Sequence, residues 1–161
     1  MVGGGPYLDE LKDRAKECGL EKSVCFTGYV PSKDVLYLYR MSQIFVFPSK
    51  TDTQGLVTIE SMMTGLPVVA IGELGTVDVM QGDHGGFMVH DDVNEFAEKV
   101  TLLLQNPKLR KQKSEESKQW SQQWKISSLT PRLLSCYEKV LAEKKDNKRN
   151  KSEEDEKYEK K

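Results

Sequence analysis

Two carboxylates, Asp52 and Glu60, stand eight positions apart with Gly55 between them, in the run Pro48-Ser49-Lys50-Thr51-Asp52-Thr53-Gln54-Gly55-Leu56-Val57-Thr58-Ile59-Glu60. Leu56 to Met63 reads as a short helix, closed by Gly65 and Pro67, so Asp52 belongs to the loop before it and Glu60 to the helix itself. The amides of Gly55, Leu56 and Val57 then sit at a helix start, where backbone N–H groups lack intrahelical partners and carry partial positive charge. Such a terminus takes an anion, phosphate above all. A carboxylate beside phosphate would repel it, so both acids suit sugar hydroxyls instead, which give charged oxygen hydrogen bonds of about 1.5–3 kcal/mol. Phosphate in the middle with a polyol at each end describes a nucleotide sugar.

The elements that must position these groups are legible on either side. Ile44-Phe45-Val46-Phe47, bounded by Pro48, reads as a buried strand. Val68-Val69-Ala70-Ile71 reads as its parallel neighbour, apolar throughout because both faces are covered. The unit is strand, loop, helix, strand, with the polar loop at the strand's carboxyl end, where open α/β sheets bind ligands.

This stretch resembles the donor-binding signature of retaining glycosyltransferases of the GT-B fold, the family of group 1 glycosyl transferases. That signature is a strand, Pro-Ser, an acid, seven residues with a central Gly, Glu, and a helix ending Gly-Leu-Pro-Val-Val. The Lys50-Thr51-Asp52-Thr53-Gln54-Gly55 version is similar to the diacylglycerol glucosyltransferase branch, and similarity extends from Met1 to about Leu141. The resemblance implies an α/β fold: a doubly wound parallel sheet, Rossmann-like, one half of a GT-B fold, with a helical C-terminus. It implies that Asp52 and Glu60 are the catalytic pair, Glu60 on the ribose and Asp52, with the backbone of Thr53, Gln54 and Gly55, on the transferred sugar. Leu56 and Val57 would hold the diphosphate, with Lys50 the nearby cation. The turn Gly28-Tyr29-Val30 would meet the nucleotide base, although from the residues alone a plain turn reads equally well. The chain departs from the family at one position: Asp52 stands where Glu is usual, one methylene shorter. In Gly72-Glu73-Leu74-Gly75-Thr76 the family often has paired glycines, and here Gly75 stands beside Thr76.

The implied reaction is retaining transfer of a hexose from a UDP-sugar or GDP-sugar to a lipid or sugar acceptor, without a metal or other cofactor. Holding both substrates on one face of the sugar and stabilising the departing diphosphate would carry it. The opening Met1-Val2-Gly3-Gly4-Gly5-Pro6 reads as a strand end followed at once by a glycine turn, so the chain is expected to be a fragment lacking its first strand–helix unit and an N-terminal acceptor domain. The rival reading is a non-catalytic nucleotide-sugar binding module, and a third is a relic with no ligand.

Length and composition fit these readings. At 161 residues, 37% hydrophobic and 30% charged, the chain is expected to hold one domain, residues 1–141, and a charged disordered tail, residues 142–161. A net charge of −1 gives no basic footprint for nucleic acid. Cys18, Cys25 and Cys136 are scattered and read as buried reduced thiols. With no signal peptide and no membrane-length apolar run, a cytoplasmic location follows, with peripheral membrane contact through the full-length enzyme.

The remaining elements follow from periodicity. Leu8, Leu11, Ala15 and Cys18 mark one helix face, stopped by Gly19. Val24-Cys25-Phe26-Thr27 reads as a short buried strand, and Ser32 as the cap of a helix to Met41 with Val35, Leu38 and Tyr39 inward. Phe87-Met88-Val89 is a further strand. Asp92 with Glu95 resembles a capping box before the stripe Phe96, Val100, Leu103, Leu104, and Asn106-Pro107 ends that stripe. Trp120 and Trp124 lie one turn apart on a polar helix and read as packing residues. His84 and His90 lack partners at ligand spacing and read as exposed turn residues. A last helix presents Leu129, Leu133, Tyr137, Val140 and Leu141.

Overall fold

The computed structural model describes the backbone of residues 1–159 and the side chains of residues 1–144. Three strands, β1 (Phe45–Phe47), β2 (Val68–Ile71) and β3 (Gly86–Val89), form a parallel sheet in the order β1-β2-β3. Phe45 pairs with Val68 and Val68 with Gly86, so the three strands start level. Helices α1 (Leu8–Glu17) and α2 (Ser32–Met41) precede the sheet, and α3 (Leu56–Met63) and α4 (Gly75–Met80) connect its strands. Helices α5 (Val93–Gln105), α6 (Pro107–Trp120) and α7 (Ile126–Glu159) follow, with a 3₁₀ turn at Ser121–Trp124.

Alternation along β2 builds two cores. Val68 and Ala70 point to one face, where Met62, Val79 and Met80 cover them together with Phe45, Phe47, Trp120 and Trp124. Val69 and Ile71 point to the other, under Leu103, Phe96, Val100 and Leu109. Side chains two apart share a face of a strand, so a fully apolar strand requires cover on both sides. The expected doubly wound parallel sheet is therefore present. At Gly86 a Cβ would stand 1.9 Å from the Val68 carbonyl oxygen, so only glycine lets β3 lie against β2 there.

Local signals hold on α5. The Asp92 side chain accepts the Glu95 amide at 2.8 Å, while Glu95 accepts the His90 amide at 3.0 Å rather than closing back on Asp92. Asn106 caps α6 through the Leu109 amide at 3.0 Å, with Pro107 in the first turn where no N–H is needed.

Three expectations are corrected. Val24–Thr27 is not a strand: the Val24 amide turns back to the Leu20 carbonyl (3.0 Å), Thr27 donates to the Met1 carbonyl (3.0 Å), and an isolated bridge joins Gly3 to Gly28. A single bridge is not a ladder, so the backbone here does not form a strand. Ser32 does not cap α2, because the helix already begins there and Pro31 holds the cap position with no side-chain acceptor. Cys18, Cys25 and Cys136 are exposed, because α1, the segment before Gly28 and α7 lie off the two cores. Helix α7 runs through residue 141 and on to Glu159. Residues 160–161 of the expected tail, and its side chains from residue 145 on, lie outside the described residues.

Candidate donor-binding site

Helix α3 follows the loop that leaves the carboxyl end of β1, and its first turn is shaped by two glycines. Gly55, with φ +66°, is the N-cap residue; a Cβ on it would stand 2.6 Å from Val79 Cγ2 and 2.7 Å from the Gly75 carbonyl oxygen. A Cβ on Gly75 would in turn stand 2.5 Å from the Gly55 nitrogen. Gly75 donates to the Asp52 carbonyl at 3.0 Å, stitching the loop after β2 to the loop after β1. These contacts set the carboxyl ends of two neighbouring strands against each other, with the α3 amino terminus between them. Leu74, just before the stitch, has φ 42°, a left-handed conformation that a leucine adopts only when its neighbours enforce it.

Asp52 shapes its own loop. Its Oδ1 accepts the amides of Gln54 and Gly55, each at 3.0 Å. The Gly55 amide, expected to face an anion, is thus taken by the loop's own carboxylate in an Asx-type turn. No acceptor among the described residues reaches the amides of Leu56 and Val57, so the helix start remains open at those two positions.

Glu60 projects outward from α3 and lines a cavity of about 460 Å³ between α2 and α3, with Ser32, Val35, Tyr39 and Met63 among its walls. The Tyr39 hydroxyl donates to Glu60 Oε2 at 3.3 Å, fixing that carboxylate from the facing helix. Burial, then the Glu60 charge and its hydrogen bond, push the Tyr39 phenol up from its usual 10.0 to about 12. Spacing on α2 identifies Tyr39 only as an inward side chain; nothing in the sequence signals that its hydroxyl serves Glu60.

The remaining expected donor residues fall into separate groups. Lys50 pairs with Asp91 at 2.7 Å, across to the turn after β3, and that carboxylate raises the lysine's pKa. Thr53 and Gln54 are exposed on the loop, and Gln54 and Leu56 line a different hollow, shared with Asp78, Trp124 and Leu129. Gly28, Tyr29 and Val30 belong to the amino-terminal group, where the Tyr29 ring lies over Gly4. Hence α3 is a wall between two hollows: Glu60 faces one, and Gln54 and Leu56 face the other. His84 stacks on Trp120 with ring centroids 3.7 Å apart, and Trp120 Nε1 donates to the Val79 carbonyl at 2.8 Å, so both serve packing. Among the described residues no three His, Cys, Asp or Glu side chains group as metal ligands, and no helix is long and apolar enough to cross a membrane.

Comparison with known proteins bears on this geometry. The family model described as glycosyl transferases group 1 matches residues 1–120. An uncharacterized glycosyltransferase of Haemophilus influenzae is 33% identical over 80% of the chain and 36% of its own length. The alpha-monoglucosyldiacylglycerol synthase of Streptococcus pneumoniae is 42% identical over 45% of the chain and 16% of its own length. Among solved structures, Anabaena HepE in complex with UDP superimposes with a TM-score of 0.78 at 20% identity, over 86% of this chain and 40% of that one. The chain therefore spans about a third of the length of the first of these relatives.

Proposed function

The chain belongs to the glycosyl transferases group 1 family, and from that premise we propose that it is the donor-binding half of an enzyme that transfers a hexose, with retention, from a UDP-sugar or GDP-sugar to a lipid or sugar acceptor. The observation that carries this reading is the pair of unpartnered amides, Leu56 and Val57, at the start of a helix whose next turn presents Glu60. The diphosphate sits at those amides, which stabilise the charge it gains on departure without proton transfer and without a metal. Glu60, oriented by Tyr39, accepts the ribose hydroxyls. The Asp52 oxygen not engaged by the loop amides accepts a hydroxyl of the transferred sugar. The acceptor side lies in the length of the relatives that this chain does not span. The full-length enzyme works in the cytoplasm, with peripheral contact to a membrane when its acceptor is a lipid.

Titration calorimetry of the chain with UDP, GDP and their glucose, galactose and mannose conjugates tests the donor site. Loss of a charged acceptor for ribose in Glu60→Ala is expected to weaken nucleotide binding by about tenfold or more while leaving the fold intact. Equal binding by wild type and variant, or none by wild type, overturns the reading. One observation favours a second reading, a binding module without turnover: Asp52 Oδ1 already caps its own loop. Activity of the full-length protein that appears only with Asp52→Glu would establish that alternative.

A further inference from the structure

The end of the sheet opposite the α3 amino terminus carries an unassigned cavity of about 310 Å³, near the lower limit of small-molecule pockets. Its walls come from the end of α2, the approaches to β1 and β2, and the first turns of α6. Three cations line it, Arg40, Arg110 and Lys111, of which Arg40 also borders the cavity of Glu60, and among the described residues no carboxylate lines it. Ser42, Gln43, Thr64 and Ser114 add polar side chains, beside Leu66, Pro67 and Pro107.

The charges of Arg40 and Lys111 are not neutralised locally, since neither is ion-paired among the described residues. Arg110 is held in place from behind: its Nη1 donates to the carbonyls of Leu103 and Leu104, both at 2.9 Å, at the end of α5. Ser114 donates to the Gly65 carbonyl at 2.7 Å and ties α6 to the turn after α3. The cavity is thus built on anchored backbone. In a chain of net charge −1, three cations around one hollow raise a local positive potential that an anion relieves. Guanidinium forks match phosphate oxygens in pairs, and a lysine adds a point charge.

We propose that this cavity binds a phosphate ester, distinct from any nucleotide at the α3 amino terminus. The polar wall suits a phosphorylated polyol head rather than an acyl chain. That head is either a soluble phosphate ester or the exposed headgroup of an anionic phospholipid, and the same three cations serve both.

The test uses the whole chain. Titration calorimetry with glycerol 3-phosphate reads the soluble source, and flotation with phosphatidylglycerol–phosphatidylcholine vesicles, against phosphatidylcholine alone, reads the membrane source. Wild type is expected to bind in one assay or both, and the positive assay names the source. The double variant Arg40→Gln, Lys111→Gln is expected to weaken that binding by about tenfold or more, as loss of two charge-assisted contacts requires. Arg110 is left intact because it closes the end of α5. Lys111→Glu, which reaches this cavity but not the one that Glu60 lines, is expected to weaken binding as strongly. Removing two charges elsewhere, with Lys12→Gln and Lys16→Gln on α1, is expected to change little. No binding by wild type in either assay, unchanged binding in folded Lys111→Glu, or equal loss in the α1 control overturns the proposal.

Discussion

Helices α5 and α7 both carry an apolar stripe at helical spacing, yet only one of them has a surface to lie on. On α5, Phe96, Val100 and Leu103 rest on Val69, Ile71 and Val89, and Leu103 is fully buried. On α7, Leu133 is 55% exposed and Tyr137, Val140 and Leu141 are comparably open. The stripes differ in what opposes them, because the sheet presents two faces and α3, α4, α5 and α6 already occupy both. Periodicity therefore states which face of a helix requires cover; the topology alone decides whether the cover comes from within the chain.

The strongest way to break this contrast is Leu103→Ala. It leaves a cavity under the β2 face that rigid neighbours cannot fill, and is expected to cost about 2–5 kcal/mol in urea unfolding. A loss below about 1 kcal/mol would mean that α5 is no better packed than α7.

Next in size is Gly55→Ala, which asks whether the stitched loops are as rigid as the core they stand on. An alanine there must hold a positive φ and move Val79 or the Gly75 carbonyl. The expected cost is about 1–3 kcal/mol, accompanied by loss of nucleotide binding as the α3 amides turn away. Loss of binding with full stability would show instead that the loop is positioned independently of the core.

The same contrast explains what could be read from the sequence. The Ile44–Ile71 unit was legible because strand, loop, helix and strand each carry a local signal and all agree. Val24–Thr27 carries the same β-branched and aromatic signal, but a strand exists only through its neighbour, and here the pairing is a single bridge at Gly28. The cysteines depart from their expected burial for a related reason: their apolar settings do not lie on the two cores. Asp52 is instructive within the site. The spacing Asp-x-x-Gly already contains an Asx turn, so the competing acceptor for the Gly55 amide was present in the sequence beside the helix signal. The Tyr39–Glu60 hydrogen bond joins residues 21 apart on different helices, and no spacing rule reports that.

That hydrogen bond sharpens the comparison through pH. Below pH 10 the Tyr39 phenol is protonated whether the chain is folded or not. Between its usual 10.0 and the folded value of about 12, the unfolded chain releases the proton while the folded chain keeps it. Stability supplied by the neutral phenol is thus complete below pH 10 and lost as pH rises through about 12, with solvent on the open side of the ring damping its size. Tyr39→Phe is expected to flatten that part of the alkaline unfolding profile. Glu60→Gln is expected to bring one tyrosine's ultraviolet titration back toward the ordinary range. An unchanged titration in Glu60→Gln would mean that burial alone sets the shift.

Leu133→Ser on α7 should have the smallest effect. The side chain is 55% exposed in the folded chain, so serine removes little apolar contact, and a single serine inside a long helix costs only a fraction of its propensity. The expected change in unfolding free energy is within about 0.5 kcal/mol, several times below that of Leu103→Ala. Because the stripe still lacks cover in this chain, the substitution acquires weight only when something else lies on α7. On the proposed reading, in which an acceptor half adds the rest of the relatives' length, the same Leu133→Ser change is expected to destabilise the two-domain protein more than it does this chain, by the apolar area that the additional cover buries. Equal small losses in both would show that α7 keeps its stripe open to solvent even there, and a large loss in this chain would show that the stripe is already packed.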